Sequence, residues 1–208
     1  MSTVATATRP GHRPLVVALG LGVPLGAVTF LLQLTPIGLA ANSLAFWALW
    51  AFAAGALVDG VRWAITTAAS VQLVGLVTWY GITWSIGQFT WSAGGPRALV
   101  WGAAALVAGT VFGVAGTWWR NRPGTTASEA GIALIASVHA WSALYRYGAL
   151  GYFGWGTVDL VTAVVLLLAL GRTARERLRA AGMAVPLIAL GIGGGVLLLD
   201  LIESSGAL

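Results

Sequence analysis

The chain contains no cysteine and no lysine, and only 8% of its residues are charged. Without cysteine there is no disulfide, no thiolate metal site and no cysteine nucleophile. A water-soluble domain covers itself with about a quarter of its residues charged, so this chain lacks the polar surface to stand alone in water. The missing lysine leaves all 11 basic residues as arginine, a pattern that GC-rich coding explains before function does. Motifs are scarce as well. There is no HExxH, no GxSxG, no pair of aspartates at matched depth, no nucleotide-binding loop and no convincing inverted repeat. The GIGGG at 191–195 lies in an apolar run, without the strand and helix that a phosphate loop requires. No cofactor and no metal site is expected.

What the chain has in quantity is apolar sequence: 58% of its 208 residues are hydrophobic. A bilayer crossing takes about 20 mostly apolar residues, and such runs fall at 15–33, 42–58, 63–82, 98–119, 130–147, 153–171 and 183–202. The second is short. The runs are continuous rather than alternating, so they are helices and not barrel strands. The expected fold is therefore all-α: a polytopic transmembrane bundle of seven helices, or six if the last run is misread. The first run exceeds the usual length of a signal-peptide core, which favours a retained span. Residues 1–14 are then an N-terminal tail, 15–202 the transmembrane domain and 203–208 a C-terminal tail.

The arginines orient the spans. With the N-terminus inside, Arg9, Arg13, Arg62, Arg120, Arg122, Arg172, Arg175, Arg177 and Arg179 face the cytoplasm, and only Arg97 and Arg146 face out. This split follows the positive-inside rule and puts the C-terminus outside. The net charge of +5 is thereby a topology signal and not a nucleic-acid one. The segment RTARERLRAAG at 172–182 reads as a topology anchor or as one amphipathic turn on anionic lipid.

Aromatic residues crowd the outer side, above all in TWYGITWSIGQFTW at 78–91. Two readings stay open. One is an interfacial belt. The other is an outward cavity with Trp84 and Trp91 in a lid formed by loop 83–97, and with Trp47, Trp101, Tyr145 and Trp155 as walls. Ring faces pack planar ligands and attract cations, so the cavity would take a planar or cationic small solute.

Ionisable residues within apolar runs are functional candidates because burying them is costly. His139 and Arg146 lie seven residues apart on one helix face, and Asp159 lies in the outer half of the next span. The three either contribute to the cavity or tie the two helices through an Arg146–Asp159 pair. Asp200 and Glu203 add outer negative charge, and Gln33, Asn42, Ser43, Gln72, Ser137 and Ser142 are the other polar points. No catalytic triad follows from His139 with Ser137 or Ser142. Small residues recur every four positions at Ala18, Gly22 and Gly26, at Gly109 and Gly113, and at Gly191 and Gly195. Such stripes let helix backbones approach closely.

The run NSLAFWALWAFAAGAL at 42–57, following GVPLGAVTFLLQ at 22–33, resembles a family of uncharacterised integral membrane proteins from high-GC bacteria. That resemblance implies a compact helical domain in the bacterial plasma membrane. The chain also resembles, more weakly, the substrate-binding S subunits of energy-coupling-factor vitamin transporters. There a small-residue stripe on the first helix docks onto a membrane coupling subunit. The resemblance implies that role for Ala18, Gly22 and Gly26, although glycines replace the alanines and a seventh helix is added.

The function expected from the sequence is a small-solute binding or transport subunit, with the lipid bilayer, a solute and a membrane subunit as partners. The alternative is a structural or accessory membrane protein without a ligand. A lipid-modifying enzyme using His139 ranks third.

Overall fold

In the computed structural model, residues 13–41 and 43–204 are described, and they are helical apart from short connections. The helices are α1 (Arg13–Gln33), α2 (Gly38–Ala41), α3 (Leu44–Ala56), α4 (Val61–Ser85), α5 (Trp91–Asn121), α6 (Thr126–Tyr145), α7 (Phe153–Leu170) and α8 (Ala174–Ser204). A single π-turn, Arg146–Leu150, follows α6. Seven of the helices correspond to the seven apolar runs. Four of them are long and apolar enough to cross a membrane: α1, α4, α5 from Gly94 onward, and α7.

Three boundaries differ from the sequence expectation. Helix α3 has 13 residues, about 20 Å at 1.5 Å per residue, and falls short of a hydrocarbon core about 30 Å thick. Ser43 sets its start, its hydroxyl accepting from the Ala45 amide at 3.2 Å. Second, α4 continues to Ser85 and α5 begins at Trp91, so the expected loop 83–97 shrinks to residues 86–90. Third, most of 172–182 is the first turns of α8 rather than a loop. Thr173 caps that helix by accepting from the Glu176 amide at 3.1 Å, and nothing interrupts it before Ser204.

The helices form two groups. In one, α4 packs between α1 and α5; in the other, α6 packs between α7 and α8. Helix α5 joins the groups by contacting α6, and short α3 is enclosed by α4, α5 and α6. Because α6 is central, much of it is buried, including Ile132, Ile135, Ser137, His139 and Ser142. A helix surrounded by protein does not need an apolar outer face. This is why α6 can carry so many polar groups.

The close crossings run through small residues. A Cβ added at Gly55 would strike the Gly113 carbonyl, and one at Gly116 would strike that of Phe52, fixing α3 against α5. Gly109 lies against Ala69, and Gly131 against Ala115. The stripe Ala18, Gly22 and Gly26 is likewise used within the chain. Gly22 seats Val74, and Gly26 meets the Gly75 carbonyl, both of α4. The expectation that this face receives a partner subunit is corrected: α4 already covers it. On α8, Gly191 lies against the Trp141 ring, while the side of Gly195 is outside the described residues.

The core beside α4 holds Leu25, Ala51, Ala54, Ala68 and Val71, with Trp47, Trp50 and Phe112 against it. Gln72, fully enclosed, donates to the Trp47 carbonyl at 2.9 Å and so pins α3 to α4. The outer surface is the apolar part. Val77 is 72% exposed and Leu99 74%.

Candidate functional site

The polar centre lies between α6, the π-turn and α7. His139, Ser142 and Arg146 are spaced three and four residues apart, so a 3.6-residue helix aims all three at α7. There Asp159 receives them. Arg146 Nε lies 2.8 Å from Asp159 Oδ2, Ser142 Oγ donates to the same oxygen at 2.6 Å, and His139 Nδ1 lies 3.4 Å from Oδ1. Arg146 Nε also approaches Ser142 Oγ at 3.4 Å. All four residues are buried.

The backbone holds this arrangement in place. The π-turn begins at Arg146, whose carbonyl accepts from Tyr152 at 2.9 Å. Gly151 closes the turn at φ +68°, a left-handed conformation that favours glycine. The Tyr147 ring lies over Gly156, where a Cβ would meet it at 2.8 Å, and its hydroxyl is 3.0 Å from Thr157 Oγ1. Gly156 is one turn before Asp159, so this contact closes the interface beside the cluster.

One atom in the cluster is left over. Among the described residues, buried His139 Nε2 has no hydrogen-bond partner. An ionised carboxylate only accepts, so the imidazole must donate from Nδ1 to Asp159. Nε2 of the neutral ring is then a bare acceptor. The Ser142 proton points to the carboxylate rather than to the imidazole, so no serine–histidine nucleophile pair is assembled.

Of the rings expected to form a cavity, the two assigned to its lid stand mostly uncovered. Trp84 is 64% exposed and Trp91 67%, and an indole with most of its surface uncovered is not closed over a pocket. Both also belong to helices, α4 and α5, and not to a lid loop. Trp47 packs in the core and donates from Nε1 to the Ala41 carbonyl at 3.1 Å. Tyr145 stacks on Trp141 at 5.8 Å along α6. Trp101 and Trp155 are half-buried on α5 and α7.

What the crowded stretch 78–91 builds is a ladder. Trp79 meets Tyr80 at 4.8 Å, Tyr80 meets Phe89 at 4.7 Å, and Phe89 meets Trp91 at 5.5 Å. Trp79 Nε1 donates to Gln33 Oε1 at 2.8 Å, tying the ladder to the end of α1. The rings clamp the α4–α5 turn.

A separate apolar cavity of about 300 Å³ opens between α5 and α8, with Phe112, Ser137, Trp141, Leu187 and Gly191 in its lining. It lies on the face of α6 turned away from Asp159. None of the rings named for the expected cavity lines it; Trp141 does.

At the other end of α6 a second buried polar group was not foreseen. Glu176 accepts from Ser128 Oγ and from the Arg172 amide, each at 2.8 Å. Burial raises the Glu176 carboxyl, but the Arg172 amide, the Ser128 hydroxyl and the Arg172 charge outweigh it and hold the group below the ordinary glutamate range. Arg172 also donates to the Trp119 carbonyl at 3.1 Å, and buried Glu129 lies 3.3 Å from Arg179. The arginine-rich segment is thus a clamp on α5 and α6. The spacing Thr173-x-x-Glu176 is a capping-box signal that could have disclosed its helical start. Ser142 could have been found from its place between His139 and Arg146.

Asn42 lies outside the described residues, as do the side chains of Asp200 and Glu203. Among the described residues no group of His, Asp and Glu could hold a metal ion. No curated protein and no solved structure matches the chain. Residues 5–201 match a family of unknown function (DUF6518), and the chain belongs to that family.

Proposed function

We propose that the protein is a polytopic plasma-membrane bundle that binds a small solute, as a binding or transport subunit, at the His139–Ser142–Arg146–Asp159 cluster. Membrane residence is supported by the surface: large apolar side chains cover it, and a patch of that size in water would drive association. The arginine split supports a cytoplasmic N-terminus and an outer C-terminus, which places the cluster in the outer half of the membrane. The observation that carries the binding role is His139 Nε2, buried beside a charged pair and without a hydrogen-bond partner among the described residues. Charges inside a membrane are costly and mark working sites.

A second reading has its own support. Both oxygens of Asp159 are satisfied within the chain, as a purely structural tie between α6 and α7 requires. Native mass spectrometry of the protein released from lipid nanodiscs separates the two. Under the binding reading, the wild type carries a small-molecule adduct that His139→Gln loses while its melting temperature holds. If the wild type carries none, and no compound in a solute library raises its melting temperature, the tie is structural and the binding reading fails.

A further inference from the structure

We propose that the arginine-rich corner of the bundle, where the first turns of α8 meet the end of α5 and the start of α6, binds the headgroup of an anionic phospholipid. The inference goes beyond the solute-binding reading and rests on the proposed function only for residence in a membrane. Two observations carry it: the way charge is sorted at this corner, and the apolar side chain beside it.

Contacts bring three segments together here. Ser128 of α6 donates to Glu176 of α8 at 2.8 Å. Arg172 donates to the Trp119 carbonyl at 3.1 Å, and its guanidinium carbon stands 5.6 Å from the centre of the Trp119 ring. Arg179 lies 3.3 Å from Glu129. The corner therefore gathers Arg120 and Arg122 from the end of α5 with Arg172, Arg175, Arg177 and Arg179 from the start of α8. Against six arginines stand two glutamates, Glu129 and Glu176, which leaves four positive charges in excess.

The two signs are sorted by depth. Glu129 and Glu176 are each 4% exposed, and Glu176 spends both carboxylate oxygens inward, on the Ser128 hydroxyl and the Arg172 amide. Arg120, Arg122, Arg172, Arg175 and Arg179 are exposed. Arg120, Arg122 and Arg175 form no ion pair among the described residues. The surface here thus offers guanidinium groups with no exposed carboxylate between them, and Arg172 is steadied by a carbonyl and a ring. Guanidinium forks suit phosphate oxygens, which they bind through paired hydrogen bonds. Topology asks only for positive charge at this end of the spans. It does not ask for the acidic neighbours to be buried beneath.

The adjoining surface selects the source of the phosphate. Leu178 follows Arg175 by three residues on the same face of α8 and is 75% exposed. A free phosphate has nothing to place against an exposed leucine. A phospholipid does: its headgroup meets the arginines while its chains cover the apolar side chain. An anionic headgroup also brings the net negative charge that draws basic segments to a membrane surface.

The test is native mass spectrometry of the full-length protein in detergent, offered phosphatidylglycerol and phosphatidylcholine with identical chains. We expect the wild type to retain phosphatidylglycerol in preference. Removing two corner arginines, Arg122→Gln with Arg175→Gln, should lower that preference by about 25-fold. Arg13→Gln with Arg62→Gln removes the same charge from the starts of α1 and α4 and should keep it. If the double corner variant does not fold, Arg175→Gln alone, expected at about fivefold, decides. Equal retention of both lipids by the wild type, or equal losses in the corner and control variants, overturns the proposal. Inorganic phosphate that raises the melting temperature of the wild type but not of the corner variant, without any lipid preference, assigns the corner to free phosphate and overturns it too. The solute adduct is read in the same spectra. Its absence with the headgroup preference intact sinks the solute reading alone, and its presence without the preference sinks this proposal alone.

Discussion

Arg146 Nε lies 2.8 Å from Asp159 Oδ2 across the α6–α7 interface, and neither side chain is more than 12% exposed. Breaking a buried pair from one side strands the other charge, at about 3–5 kcal/mol. Arg146→Leu and Asp159→Leu should each destabilise the bundle by about that much. Asp159→Leu should be the worse, because it also orphans Ser142 and His139. The double variant should be milder than either single one. Unfolding by detergent titration reads the three differences; additive losses would mean that the two groups act independently.

The α3–α5 crossing predicts a sharp contrast among glycines. Gly55→Ala and Gly116→Ala drive a methyl into a facing carbonyl and should cost at least about 1–3 kcal/mol. Among the described residues, nothing lies within 4 Å of an added Cβ at Gly20 or Gly102. Alanine there should be neutral or stabilise the helix by about 0.5–1 kcal/mol. Melting temperatures of the four variants check this, and equal losses at all four would remove the crossing as the cause.

Glu176 predicts an acid-dependent difference. Burial raises its carboxyl, but the Arg172 amide, Ser128 and the Arg172 charge together lower it below its unfolded value. Its stabilising effect is therefore complete above the unfolded value, about 4.3 for glutamate, and is lost as pH falls through the lower folded one. Glu176→Gln should melt below wild type at neutral pH, and the gap should close in acid. A gap that is constant with pH would show that the carboxylate charge contributes nothing.

Topology is tested by reporters fused after Leu208. The arginine split predicts an external C-terminus, so an alkaline phosphatase fusion should be active and a fluorescent protein requiring the cytoplasm dark. The reverse result would require an even number of crossings, with the last run, 183–202, misread as a span.

The sequence by itself determined that the chain is helical and where most helices run, because continuous apolar runs have only helices to satisfy their amides. It also made part of the cluster legible. His139 and Arg146 share a face by spacing alone, and the short link from Arg146 to Phe153 obliges α6 and α7 to be antiparallel neighbours, which brings Asp159 within reach. Only the tertiary structure decided which way each helix is turned. It set Trp84 and Trp91 outward, turned the Ala18–Gly22–Gly26 stripe onto α4, enclosed α3 and left His139 Nε2 without a partner among the described residues. The physical reason is that lipid and protein interior are equally apolar. A helix whose two sides face equally apolar surroundings carries no hydrophobic asymmetry to report its rotation, so packing between small residues and the pairing of the few buried charges must set it.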